Sequence, residues 1–262
     1  MKKLFLLLPV LLIVAAGLFW KEYNSPFQQL SREAKRGDAR SAYTLADHYY
    51  FGQNDTKVDL QKARSWYKKA GDKGHVQAQF VYGYMLYKGK GGSVDLKGAE
   101  EWFEKAASGG NPDAMYFLAG MYYYGKGVPQ NEELSAERYK QGAEAGHPAC
   151  QYHHAINYGF QSDTKNYLKW MNRSAQQGDR DALFNFCEHT YSRSGGWLED
   201  QDLVAAYRWC TLALKTGKKE AREKLDSLGN KLTPTIIAQQ DLLVEQFMKD
   251  IQNENVFDPH IQ

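Results

Sequence analysis

Seven histidines, three cysteines and two glycine–lysine strings carry most of the reactive chemistry this sequence could offer. His153-His154 is the one adjacent histidine pair. Neighbouring helical residues point about 100° apart, so the two cannot easily ligate one ion. No His/Cys/carboxylate set has metal-ligand spacing, so no metal site is expected. Lys88-Gly89-Lys90-Gly91-Gly92 has the composition of a phosphate loop. Such a loop needs a preceding strand and a Gly-Lys-Ser/Thr ending, and here the string reads as a connector between helices. No nucleophile motif has a base within reach, and Glu100/Glu101 and Glu132/Glu133 read as solvated faces. The expectation is a protein with no catalytic residues and no cofactor. Asn54-Asp55-Thr56 and Asn172-Arg173-Ser174 fit the glycosylation pattern, which matters only in a eukaryotic secretory route.

The elements that place these residues follow a repeat. Glycines that look helix-opening recur at Gly37, Gly74, Gly110, Gly146, Gly178 and Gly217, in steps of 37, 36, 36, 32 and 39 residues. A period in this range marks a helical solenoid rather than a single core. Four residues after the glycine stands a small residue: Ser41, Ala78, Ala114, Cys150, Ala182. Nine after it stands another: Ala46, Gly83, Ala119, Ala155, Cys187. Offset six is aromatic in every copy: Tyr43, Phe80, Tyr116, Tyr152, Phe184. Offsets 4, 5, 8, 9 and 12 share one helix face, where small residues admit a second helix. The offset-six ladder is assigned to packing between repeats. His75 and His147 directly follow repeat glycines, and His154 takes the core position held elsewhere by Leu45 and Leu118.

The second helix carries Ala-x-x-Trp/Tyr at Ala63/Trp66, Ala99/Trp102, Ala136/Tyr139 and Ala206/Trp209, with Asn166 standing for the alanine before Trp170. Glycine-bearing turns join the helices at Gly89–Gly92 and Gly125-Lys126-Gly127-Val128-Pro129. Together, Ala114, Leu118, Ala119, Tyr122, Gly125, Gly127 and Val128, then Ala99, Trp102, Phe103, Lys105, Ala106, Ala107 and Gly110, resemble the Sel-1-like repeat family, a relative of the tetratricopeptide repeats. The resemblance covers roughly residues 27 to 250. It is specific in repeats 1 to 3, whereas repeat 4 has a shortened turn and repeat 5 a longer one containing Ser194-Gly195-Gly196-Trp197. It implies an all-α fold, a right-handed α-solenoid of about five helix-turn-helix repeats with N- and C-terminal capping helices.

The expected organisation is a leader at 1–20, a linker and N-capping helix at 21–36, five repeats at 37–216, C-terminal capping helices at 217–250 and a frayed tail at 251–262. Ser25-Pro26 and Thr233-Pro234 are helix starts, with a hydroxyl cap and proline at the first helical position. Ile237, Leu242/Leu243, Phe247 and Ile251 form the expected apolar stripe of the last helix. A cysteine-rich subgroup of Sel-1-like proteins staples each repeat, a scheme this chain does not follow. Cys187 and Cys210 nevertheless replace a small–aromatic contact that equivalent pairs make, Gly83 with Phe103 and Ala119 with Tyr139. Their placement on successive antiparallel helices suggests a disulfide in an oxidising compartment, the alternative being two free buried thiols. Cys150 replaces a core alanine and behaves as a small hydrophobe.

Met1-Lys2-Lys3 followed by uncharged Leu4–Trp20 is a secretory leader pattern. Two endings stay open, cleavage near Ala15-Ala16-Gly17 or retention as an anchor. Seventeen residues span roughly 26 Å, the short end for a membrane helix. Either way the lysines stay inside, and the repeats face the periplasm. Lysine plus arginine exceed aspartate plus glutamate by only two, with no basic block, which argues against nucleic acid as partner. Contact with a membrane is expected only through the N-terminal segment.

A solenoid should curve and expose a concave face lined by first helices. Offsets 7, 10, 11 and 14 point away from the packed stripe. Large side chains there, Phe51, Tyr84, Phe117, Tyr124, Ile156 and Phe160, form the candidate partner-binding strip; the alternative is that some pack against neighbouring repeats. The leading functional reading is an exported, inner-membrane-tethered protein-binding scaffold or regulator, with an envelope regulator as one kind of partner. The resemblance also brings in periplasmic immunity proteins that neutralise type VI secreted phospholipase toxins, and, as a further alternative, an envelope-modifying hydrolase.

Overall fold

The computed structural model describes residues 25–53, 56–193 and 200–254. The leader, Asn54-Asp55, the Ser194-Gly195-Gly196-Trp197 turn and the residues after 254 lie outside that set. Among the described residues every regular element is an α-helix, and the protein is an all-α repeat solenoid. Helix α1 (Pro26–Lys35) precedes five hairpins: α2 (Ala39–Phe51) with α3 (Leu60–Asp72), α4 (Val76–Lys88) with α5 (Leu96–Ser108), α6 (Pro112–Tyr124) with α7 (Glu132–Glu144), α8 (Pro148–Phe160) with α9 (Thr164–Gln176), and α10 (Arg180–Arg193) with α11 (Asp200–Lys215). Helices α12 (Ala221–Gly229) and α13 (Pro234–Glu254) follow.

The repeat glycines close helices rather than open them, and the residue after each of Gly37, Gly74, Gly110, Gly146 and Gly178 opens the next. Gly74 has φ +85°, and a Cβ there would meet nothing within 4 Å, so the site asks for left-handed backbone and not for room. The Gly74 amide donates to the Gly71 carbonyl (2.9 Å) and the His75 amide to that of Ala70 (3.1 Å), which satisfies the last carbonyls of α3. His75 then caps α4, its Nδ1 accepting from the Ala78 amide at 3.1 Å. The same position is filled by Asp38 before α2, Asn111 before α6, His147 before α8 and Asp179 before α10, each accepting from the amide three residues on. One residue therefore finishes one helix and begins the next, which keeps the connection short.

The described residues fall into two compact units, one running to residue 114 with 126–128 added, the other comprising 115–125 and 129 onward. In the first, α1 packs on α2, and each of α2 to α4 packs on its successor. Leu45, Tyr67, Phe80, Met85 and Phe103 are fully buried. Gly83 is needed for close approach: a Cβ would lie 2.9 Å from the Phe103 ring. Buried Tyr67 donates to Asp47 at 2.5 Å, and burial next to that carboxylate pushes its phenol pKa far up.

In the second unit the buried Ser135 hydroxyl donates to the Ala119 carbonyl at 2.9 Å, joining α6 to α7. Helices α7 to α12 pack in succession, and α13 lies on α11. Here the structure corrects the register. Ser135, and not Ala136, occupies the place of Ala63 and Ala99, while Tyr139 stands where Tyr67 and Phe103 do. In repeat 4 the residue three before Trp170 is Tyr167, half-buried and donating to Asn185 at 2.6 Å. Asn166 sits one position earlier and binds the cap residue Asp163.

The last helix also differs from expectation. Val244 and Gln240 are buried and Ile237 and Phe247 pack on the core, but Leu242 and Leu243 are exposed. Steps of three and four from Ile237 select 240, 244, 247 and 251, and leave 242 and 243 off the stripe. Ile251 is buried against Gly178, so the helix runs to Glu254, past the boundary expected at 250.

Candidate protein-binding surface

The six residues of the candidate strip do not share one environment. In the first unit Tyr84 is buried, 3% exposed, beside Phe80 with Lys90 Nζ 5.2 Å over its ring. It is a packing residue and leaves the strip. Phe51 is partly exposed at the end of α2, its ring edge-on to Tyr50 at 4.8 Å. In the second unit Phe117 is half-buried against Tyr116 and Ile156 packs on the core. Tyr124 and Phe160, the last residues of α6 and α8, are 74% and 83% exposed. Ridge positions near a helix middle are covered by the adjoining helix of a stack, while final-turn positions escape that cover.

Two of the offset-six rings pack between copies, each on a capping histidine. Tyr43 stacks on His75 at 4.5 Å and Tyr116 on His147 at 4.9 Å. Burial holds His75 below the ordinary histidine value, consistent with a neutral ring accepting at Nδ1. His153, which stands at offset 7, stacks on Tyr139 at 4.3 Å, and burial likewise lowers its pKa. His154 sits in the core as expected, edge-on to Trp170 at 5.1 Å, also lowered by burial. Asp179 moves the other way, its carboxyl pushed up by burial against two amide hydrogen bonds that favour the charge. These groups cap and stack. Among the described residues no three His, Cys, Asp or Glu come together in a way that could hold a metal ion.

A feature not recognised from the sequence covers the helix ends. The turn after α4 runs from Gly89 to Asp95 and the turn after α6 from Gly125 to Asn131, seven residues each. Each sends a lysine back to the preceding copy. Lys90 donates to the Tyr50 hydroxyl and lies 5.1 Å over that ring. Lys126 donates to the Tyr87 hydroxyl at 2.9 Å and lies 4.1 Å over the ring. The turn after α8 is only Gln161-Ser162-Asp163, so the lysine arm is missing. Tyr123, the counterpart of Tyr50 and Tyr87, is 48% exposed, and its ring meets that of Tyr124 edge-on at 4.9 Å. The signal was present in the sequence: tyrosine at offset 13 in three copies, with lysine at offset 16 in copies 2 and 3 and Ser162 in copy 4.

The second irregular feature is covalent. Cys187 on α10 and Cys210 on α11 form a disulfide, both fully buried, with Cα atoms 4.7 Å apart. It occupies the Gly83–Phe103 position of copy 2. Cys150 takes no part in a disulfide and is buried against Gly142.

Sel1 repeats account for this geometry: the Sel1 repeat family model matches residues 39–75, 76–111, 112–147 and 168–179. The protein is thus a Sel1-repeat solenoid, most regular in its first three copies. A Sel1 repeat protein from Oxalobacter formigenes is 24% identical, with 87% of this chain and 92% of that one covered at a TM-score of 0.66. A protective antigen present in uropathogenic Escherichia coli strains, displaying an SLR fold, is 25% identical over 87% of this chain and 57% of its own, at 0.60. The ERAD-associated E3 ubiquitin-protein ligase component HRD3A of Arabidopsis thaliana is 34% identical over 70 residues, 27% of this chain and 10% of the plant protein. The chain thus spans a tenth of that relative and somewhat over half of the antigen. The immunity protein Pa5087 of Pseudomonas aeruginosa is 23% identical over 74% of each chain at a TM-score of 0.44, a likeness that carries no functional argument.

Proposed function

We propose that the protein is an exported, non-enzymatic scaffold that binds another protein through its Sel1 repeats and is tethered to the inner membrane by residues 4–20. The observation that carries the binding role is the exposure of Tyr124 and Phe160 at the ends of first helices in consecutive copies. Aromatic rings combine large apolar area with few rotors, and are the residues most enriched at the energetic centres of interfaces. The regular small and aromatic positions are consumed in stacking, which leaves these helix ends for a partner. Export is supported by the Lys2-Lys3 and Leu4–Trp20 leader pattern and by the Cys187–Cys210 disulfide, a bond that persists in oxidising compartments.

The test is affinity capture by the full chain, produced with its leader in its native cell, beside the double variant Tyr124→Ser/Phe160→Ser. Both sites are exposed, so helicity should be unchanged while the partner is lost. A partner retained at full yield by the variant would remove this surface from the account. Recovery of the chain from the cytoplasm with Cys187 and Cys210 reduced would overturn export.

A further inference from the structure

The shortened turn of copy 4 uncovers a site whose occupant the other copies display. In copies 1 and 2 the tyrosine near the end of the first helix receives a lysine from the first-helix turn of the next copy, which donates to the hydroxyl and lies over the ring. Copy 3 presents the same tyrosine, Tyr123, but in the next copy the turn after α8 is cut from seven residues to three. The Tyr123 hydroxyl has no hydrogen-bond partner among the described residues, the ring meets that of exposed Tyr124 at 4.9 Å, and exposed Phe160 ends α8 directly before the cut turn. Ser162, in the cut turn, is the one non-glycine residue with positive φ among those described, at +59°. We infer that the Tyr123–Tyr124–Phe160 face binds a lysine-bearing loop of a partner protein, which takes the place of the missing arm. This rests on the protein-binding reading and narrows it to one face and one partner chemistry.

The chemistry is set by the rings. A phenol hydroxyl accepts from an ammonium group while the ring face attracts the same charge, and adjoining aromatic surface removes the lysine stem from water. A carboxylate would meet two electron-rich rings and no donor but the hydroxyl. A purely apolar side chain would leave the Tyr123 hydroxyl without a partner once water is excluded.

The probe is a synthetic peptide copying this chain's own arm, residues 125–130 (Gly-Lys-Gly-Val-Pro-Gln), with a second peptide carrying methionine in place of the lysine. Ring signals of the full chain, labelled at Tyr and Phe, are followed by NMR. Shifts should be confined to Tyr123, Tyr124 and Phe160, and the methionine peptide should bind about tenfold more weakly. Replacing Gln161-Ser162-Asp163 by residues 125–131 restores an internal arm and keeps a helix cap through the asparagine; this chain should no longer respond to the peptide. If the graft does not fold, Tyr124→Ser/Phe160→Ser serves in its place, with the same expected loss. Equal binding of both peptides, or shifts elsewhere, would overturn the inference. A natural partner captured equally by parent and graft would overturn it too while leaving the scaffold reading intact. Failure of the parent to capture any partner, with the lysine peptide still bound at this face, would count against the scaffold reading alone. Sedimentation showing self-association that Tyr124→Ser abolishes would put a second copy there and overturn the assignment to a partner.

Discussion

Copies 2 and 5 build the same helix contact from opposite materials. In copy 2, Gly83 admits the Phe103 ring, and the pair is held by packing alone. In copy 5 the equivalent positions are Cys187 and Cys210, held by a bond. The turns differ in parallel: copies 2 and 3 fold a lysine back onto the preceding tyrosine, while copy 4 has lost that arm. The regular copies invest their aromatic residues in the stack. Around the cut turn, Tyr124 of copy 3 and Phe160 of copy 4 stay exposed, and copy 5 replaces packing with a covalent tie. A repeat array can tolerate this because each copy leans mainly on its neighbours.

The contrast can be broken from either side. Phe103→Ala empties a fully buried ring site and should cost about 4 kcal/mol, read by hydrogen exchange as loss of protection in α4 and α5 while α10 and α11 stay protected. Reducing the disulfide, or replacing both cysteines by alanine, frees a loop with a sequence separation of 23 and should cost about 3 kcal/mol. Denaturation with and without reductant should move only α10, α11 and the helices that follow. A comparable loss of protection in α4 would show that the copies are not separable in this way.

Gly74→Ala meets no atom, so its cost is that of left-handed backbone, about 1–2 kcal/mol, measured as a shift in denaturation midpoint. Lys126→Met removes an exposed cation from the Tyr87 ring and should cost about 0.5 kcal/mol, with Tyr87 becoming more reactive to nitration. The gentlest effect is a pH slope. His75, His153 and His154 have pKa values lowered by burial from an ordinary 6.5, so the unfolded chain binds protons first as pH falls. Their contribution to stability is complete above about pH 6.5 and declines below it. His75→Asn, which copies the cap used at Asn111, should retain the helix and flatten part of that slope in a pH series of midpoints.

Much of the fold was legible because it is local and repeated. The small residues at offsets four and nine and Ser25-Pro26 each impose one backbone or packing requirement, and each lies where that requirement predicts, while the glycines keep the expected spacing but close helices instead of opening them. The pairing of Cys187 with Cys210 was legible by analogy with Gly83 and Phe103. The misplacements arose where a motif was matched by residue type and not by register: Ala136 drew the alanine of the motif one position away from Ser135. Tyr84 looked exposed because its offset leaves the main stripe, but it is buried beside Phe80 with Lys90 over its ring. The lysine arms were missed because they connect residues 40 and 39 apart, beyond any helical period.

A protein-binding role for the ends of α6 and α8 has a direct test. Hydroxyl-radical footprinting of the full chain, alone and with its captured partner, reads every tyrosine and phenylalanine at once. Tyr124 and Phe160 should react strongly in the free chain and become protected in the complex, while Tyr67 and Tyr84 stay unreactive in both. Protection at Phe51 with Tyr124 and Phe160 unchanged would contradict it.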